Sequence, residues 1–216
     1  MRAAFTPRFL YQLCACLVAA WGLSSCASTP FATGPDERNK VIVSVRDQKL
    51  LLVHDGTPLK SYPISTSKFG IGDRPGSNCT PLGRMQVAKK IGDNAPIGSV
   101  FKSRRRTGEI LPVNAPGRDP IVTRILWLTG KESRNSNAFR RTIYIHGTPE
   151  EHRLGSPASY GCIRMSSRDI AELYDRLGPG ADVFIIRGSI KSGRAKQDSI
   201  SLAKNGARSR NGALRQ

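Results

Sequence analysis

Polar and apolar residues alternate along much of this chain, a spacing that sends every second side chain to one face of a strand. Residues 41–45, 50–54 and 59–66 are rich in β-branched and aromatic residues, and 83–91 reads as a further strand. Asp47-Gln48 and Asp55-Gly56 separate the first three, and Asp-Gly is a strong hairpin signal because both central residues of the turn need positive φ. The N-terminal half is therefore predicted to be mostly antiparallel sheet. Residues 125–128, including Trp127, are apolar throughout and predict a strand buried on both faces. Residues 142–145 alternate again and deliver His146 at a strand end. At 166–177 the period lengthens to that of a helix, with Ile170, Leu173, Tyr174 and Leu177 on one face. Ser166 is its expected N-cap, with Asp169 three residues on, and Gly178-Pro179 stops it.

The other stretches lack a period. Residues 94–119 are rich in Gly, Pro and Arg and too long for an ordinary connection, so they read as a lid or binding loop, or else as a solvated loop. Lys102, Arg104, Arg105 and Arg106 make that stretch basic. From residue 188 aromatic residues disappear and seven basic residues face Asp198 alone, which predicts a disordered tail over 188–216.

At the other end, Arg2 and Arg8 precede an apolar run over 9–23, shorter than the ~20 residues of a spanning helix and typical of a signal-peptide core. The run ends Leu23-Ser24-Ser25-Cys26, which resembles the bacterial lipobox. On that resemblance residues 1–25 are a removable leader and Cys26 is the lipidated first residue of the mature chain. Ala27 in place of Asp then implies the outer membrane, facing the periplasm. The alternative is plain signal-peptidase cleavage, with Cys26 an ordinary thiol. Residues 26–39, with Ser, Thr, Pro and Gly, read as a tether.

The 216-residue chain carries a formal charge of +18; loss of the leader removes two arginines and no acid and leaves +16. Such a balance attracts polyanions. Export removes nucleic acid from the candidates and leaves acidic cell-wall peptides and lipid phosphates as partners.

Of five cysteines, Cys14 and Cys16 leave with the leader and Cys26 is assigned to lipid, so Cys79 and Cys162 remain. Two thiols in an exported domain suggest a disulfide. The surroundings of Cys162 suggest a nucleophile instead, and Cys79, in a Gly-Ser-Asn turn, an inert small thiol. An ordinary thiol is only a few per cent thiolate at neutral pH and needs a base. Gly155 and Pro157 turn the chain back between His146 and Cys162, so the two can meet. Gly161 permits positive φ, and the N–H groups of Tyr160, Gly161 and Cys162 could face a developing oxyanion. The helix starting four residues after Cys162 adds a modest positive field. His54, at a turn edge, is expected to be exposed, and His152, in the loop facing the site, is a candidate substrate contact. A metal site of His146, His152 and Cys162 lacks a further ligand at a recognised spacing, so no metal and no cofactor is called for.

A strand ending in His146-Gly147, a loop, and then Ser159-Tyr160-Gly161-Cys162-Ile163-Arg164 resembles the L,D-transpeptidase (YkuD) catalytic domain, whose usual motif reads Ser-His-Gly-Cys-Ile-Arg. Thr80-Pro81-Leu82-Gly83 matches its Thr-Pro-x-Gly turn, 41–67 its opening hairpin and 180–186 its closing strand, so the resemblance spans 40–187. It implies a mainly β fold, a curved β-sandwich with one or two short helices. It also implies that Cys162 is the nucleophile, His146 the base and the Gly147 carbonyl the group fixing the imidazole tautomer. Ser159 and Arg164 are implied to support the site and contact a substrate carboxylate. Members of the family open the peptidoglycan tetrapeptide stem after the L-centre of diaminopimelate as a cysteine thioester. The acyl group then passes to an amine of another stem, to a lipoprotein lysine, to a free D-amino acid or to water. Tyr160 departs from the motif: with a pKa near 10 it donates a hydrogen bond but is no base at neutral pH. That departure keeps open a wall-binding lipoprotein without turnover, which the retained His146, Gly161, Cys162 and Arg164 argue against.

Overall fold

The computed structural model describes residues 34–191. The leader, Cys26, the first part of the tether and the tail from residue 192 lie outside the described residues. Strands β1 (Asn39–Ser44), β2 (Lys49–His54) and β3 (Thr57–Pro63) form an antiparallel meander. Its second turn holds Asp55 at φ 46° and Gly56 at φ 80°, the paired left-handed conformation that Asp-Gly supplies. The chain continues through β4 (Gly83–Ile91), β5 (Ser99–Lys102), β6 (Arg105–Ile110) and β7 (Ile121–Gly130). It closes with β8 (Tyr144–Gly147), β9 (Ile163–Met165), helix α1 (Ser167–Arg176) and β10 (Asp182–Ile186).

The fold is mainly β, as expected, and residues 39–186 hold one α-helix and a single mixed sheet of ten strands. The sheet runs β3-β2-β1-β10-β4-β7 and branches at β7. One edge of β7 is shared by β4, at Ile125 and beyond, and by β5, at Ile121 and Val122; its other edge carries β8 and then β9. Two pairings are parallel, β1 with β10 and β8 with β9. The larger core gathers Val41, Leu52, Met85, Leu126, Ile145 and Ile163 beneath the Ile170, Leu173 and Tyr174 face of α1. Each such side chain contributes roughly 1.5–3 kcal/mol by leaving water.

The stretch 94–119 is not the loop expected. It contains the hairpin β5–β6, turned by Ser103 and Arg104 at φ 48° and 67°. All of β6 is exposed, so no buried face wrote a period of two into its sequence. Strand β7 also extends well beyond the apolar 125–128, because its N-terminal half includes Thr123 and Arg124. There the register against β8 skips between Val122 and Ile125, opposite Gly147 and His146. Thr123 sits at φ 69°, a strained conformation for a β-branched residue. It is held by Thr123 Oγ1, which accepts from the Gly98 N–H and donates to Ser167 Oγ, each at 3.0 Å.

Helix α1 starts as its sequence predicts: the Ser166 hydroxyl accepts from the Asp169 N–H at 3.1 Å. Removing that acceptor in Ser166→Ala should cost ~1 kcal/mol. Urea unfolding of the variant should show a lower midpoint with an unchanged m-value. An unchanged midpoint would mean that water replaces the cap without loss.

Candidate active site

Strands β8 and β9 lie in parallel register, Ile145 opposite Ile163 and His146 opposite Arg164. Ile145 and Ile163 point into the larger core. Alternation sends Tyr144, His146 and Arg164 to the opposite face, together with Cys162 one step before β9. On that face Tyr144 and Cys162 pack with Ala95, Phe101 and Ile125. The strand thus brings the histidine and the cysteine to one surface. His146 lies inside β8 rather than at its end.

Glycine follows the histidine for a steric reason. A Cβ on Gly147 would lie 2.6 Å from the Val122 carbonyl oxygen and 3.1 Å from Ile170, against the β7 bulge and α1. His146 Nδ1 donates to the Gly147 carbonyl oxygen at 2.8 Å. A carbonyl can only accept, so Nδ1 carries the proton and Nε2 keeps its lone pair. Burial holds the imidazole below the ordinary histidine range. The Gly147 hydrogen bond and Asp119 pull the other way, and Arg164 reinforces the depression.

The turn that presents Cys162 is held on two sides. Gly161 adopts φ 120°, and a Cβ there would meet the Cys79 carbonyl at 3.3 Å. The Ser159 hydroxyl donates to the Cys162 carbonyl at 2.6 Å and accepts from the Gly161 N–H at 3.2 Å. Thr80, from the Thr-Pro-Leu-Gly turn, donates to the Gly161 carbonyl at 3.0 Å. The Cys162 thiol donates to the Thr142 carbonyl at 3.5 Å. Although part of the residue reaches a cavity, burial pushes the thiol up to about 11. A Tyr144 backbone hydrogen bond and the charges of Arg141 and Arg164 oppose that rise without cancelling it. The expected lowering by the helix terminus is therefore outweighed by desolvation.

The cavity beside Cys162 measures about 240 Å³ and is lined by Gly76, Asn78, Arg141, Thr142, Ile143 and Tyr160. Tyr160 stands at its mouth, 64% exposed. Behind it, Arg141 pairs with Asp73 at 3.0 Å and donates to the Gly72 and Cys79 carbonyls at 2.9 and 2.7 Å. That buried guanidinium braces the 72–79 loop against the start of β8. Arg164, only 3% exposed, pairs with Asp119 and, at 3.1 Å, with Glu150. Asp119 also accepts from the Thr148 hydroxyl.

A family model describing the L,D-transpeptidase catalytic domain, YkuD, matches residues 38–185. The chain belongs to this family. Two curated proteins of Escherichia coli (strain K12), "Probable L,D-transpeptidase YcfS" and "Probable L,D-transpeptidase ErfK/SrfK", are each 27% identical, over 175 and 157 residues. They cover 79% and 71% of this chain, which covers 48% and 46% of them. The chain thus spans about half the length of the curated relatives it matches. Among solved structures, L,D-transpeptidase 3 from Mycobacterium tuberculosis is 20% identical with a TM-score of 0.46, over 69% of this chain and 61% of that one. The L,D-transpeptidase of Xylanimonas cellulosilytica is 20% identical with a TM-score of 0.45, over 68% and 60%.

In this L,D-transpeptidase domain the expected site residues divide into two groups. His146 and Gly147 lie together on β8, and Tyr160 and Cys162, on either side of Gly161, line the cavity. Ser159 and Arg164, expected to touch substrate, are buried, and their contacts run to the Cys162 turn and to Asp119 and Glu150. The two carboxylates take Arg164 Nη1, whereas its buried Nε and Nη2 have no partner among the described residues. His152 is exposed and turned to Asn114 at 3.0 Å. Cys79 and Cys162 are both free thiols. Sequence reasoning passed over Asp119, Arg141, Asp73 and Glu150. Charged residues in loops look alike until their partners are known, and Asp119 closes the stretch read as a basic insertion.

Two measurements test this geometry. Thiolate absorbance of Cys162, followed in a Cys79→Ala background that also lacks Cys26, should rise near pH 11; a rise near neutrality would mean a preformed thiolate–imidazolium pair. Asp119→Ala removes one of two carboxylates from buried Arg164, and breaking buried pairs costs ~3–5 kcal/mol. With Glu150 retained, the loss should fall at or below the lower figure in urea unfolding, and no loss would show the pair to be dispensable.

Proposed function

We propose that this domain is an exported cysteine acyltransferase of the cell wall, acting on peptidoglycan tetrapeptide stems at diaminopimelate. The observation that carries the reading is the delivery of His146 and Cys162 to one face of the β8–β9 pair, with a cavity at the thiol. His146 Nε2, left with its lone pair, takes the Cys162 proton as sulfur attacks the carbonyl carbon after the L-centre. The oxyanion is received by the N–H groups of Tyr160 and Cys162, because the Gly161 N–H is committed to Ser159. Collapse returns the proton from His146 to the departing D-residue amine and leaves a thioester. An acceptor amine, from another stem's diaminopimelate, a lipoprotein lysine or a free D-amino acid, then attacks with His146 again as base. Water as the acceptor would give a carboxypeptidase. No cofactor takes part in this scheme.

A thiol near pKa 11 makes a standing thiolate at pH 7 expensive, on the order of 5 kcal/mol at 1.36 per unit. Proton transfer therefore accompanies attack. A histidine held below its ordinary range stays unprotonated, and so competent as a base, to more acid pH than a free imidazole. The acid limb of the rate profile should accordingly lie below about 6.5.

Among the described residues, no helix is long and apolar enough to cross a membrane. Once the leader over 1–25 is removed, lipid on Cys26 and the tether over 26–39 would hold the domain to the outer membrane, facing the periplasm.

The test is mass spectrometry of tetrapeptide stems incubated with the mature chain carrying Cys26→Ser. Tripeptide-linked dimers or exchanged D-residues are expected from this protein and from its Cys79→Ala form, and neither from Cys162→Ala. A carbapenem should acylate the same two active forms. Tripeptide alone would indicate hydrolysis, and unaltered stems would overturn the reading.

A further inference from the structure

We propose that Lys68, beside Tyr160 at the mouth of the Cys162 cavity, reads a free carboxylate on the peptide donor. This rests on the reading of the substrate as a peptidoglycan stem. The position of Lys68 is fixed by backbone: Ser67 bridges Ser159, and the Lys68 N–H donates to the Ser159 carbonyl at 3.1 Å. Its ammonium donates to the Tyr160 phenol oxygen at 2.9 Å and lies 4.4 Å above that ring's centre and 5.3 Å from that of Phe69.

An ammonium has three donor hydrogens, and Tyr160 accepts one. No carboxylate among the described residues pairs with Lys68. The neighbouring cations are differently placed. Arg141 is bound to Asp73, Arg164 to Asp119 and Glu150, and Arg153 to Glu150. Lys68 is thus a cation beside the cavity mouth whose charge is not matched by a described carboxylate. The phenol it touches can itself donate its O–H to an anion. Beside it, Tyr160 and Phe69, 64% and 49% exposed with ring centres 5.3 Å apart, form an apolar shelf. A stem laid along that shelf places its aliphatic carbons on the rings and a carboxylate at the ammonium.

A stem carries carboxylates on its terminal D-residue and on the diaminopimelate side chain, so peptides amidated at one or the other separate the two sources. Binding is measured by calorimetry on the mature chain carrying Cys26→Ser and Cys162→Ala, and KM and kcat on the same chain with Cys162 restored. Lys68→Gln should weaken Kd and raise KM about tenfold, ~1.4 kcal/mol, with kcat within about twofold and with recovery in Lys68→Arg. Amidation of the carboxylate that Lys68 reads should weaken the parent to the same degree and abolish the effect of Lys68→Gln. Equal affinity of Lys68→Gln and parent for the unmodified stem, or an equal loss on every amidated peptide, would overturn the proposal. Binding that depends on Lys68 without any turnover would instead overturn the transferase reading and leave this one standing.

Discussion

The parallel register of β8 against β9 is the constraint on which the site depends. Because side chains alternate, a slip of one residue would send His146 into the core and Ile145 out of it. The slip is opposed by ordinary burial, since Ile145 and Ile163 are both fully buried in the larger core. It is opposed again where Gly147 passes within contact of the Val122 carbonyl, and where the Thr148 N–H donates to the Met165 carbonyl at 3.0 Å. The position of the candidate base is therefore set by apolar packing on the far side of its own strand. The β7 bulge fits the same account: a strained Thr123 opposite His146 and Gly147 is tolerated because α1 and Gly98 bind its hydroxyl.

The Cys162 turn lacks a comparable apolar anchor and is fixed by polar groups. Ser159 and Thr80 grip its carbonyls, and Arg141 joins the loop carrying Thr80 to the residues before β8. Arg164 draws Asp119 and Glu150, far apart in sequence, to the His146 side of the same strand pair. Buried ion pairs are weak stabilisers against an apolar alternative, yet removing one partner is costly. Here they unite loops that lie far apart in the chain. They also set the local field, since Asp119 and Arg164 act on His146 in opposite senses.

Much of this was legible in the chain. The strands of the meander, the Asp-Gly turn, the Ser166 cap and the helix face each follow from a local rule that the tertiary structure leaves intact. The His-Gly and Gly-Cys steps stand out in the chain as candidate chemistry, though the reason for Gly147 required knowing that β7 bulges toward it. The β5–β6 hairpin was not legible, because an edge strand exposed on every residue has no apolar period to display. Strand β9 is three residues long and buried throughout, too short to show any period. Asp119 and Arg141 were hidden for a different reason: a charge in a loop signals solvent unless its partner is known, and their partners lie 45 and 68 residues away.

The electrostatics of the site give the departure at Tyr160 a physical context. An enclosed thiol and a depressed histidine both favour their neutral forms, so burial that fixes the β8–β9 pair also withholds the thiolate. The thiolate is the form that oxidants attack. In the oxidising compartment to which the proposed leader would carry the chain, a standing thiolate would be lost, whereas a neutral thiol persists until a carbonyl enters. In the proposed reaction, reactivity would then come from the substrate's arrival, through exclusion of water and proximity of the carbonyl to sulfur. A second imidazole beside Cys162 would add another titrating group near neutrality, but Tyr160 adds none there. Tyr160 instead faces the solvent with Lys68 and Phe69, a placement that fits the binding surface proposed for it.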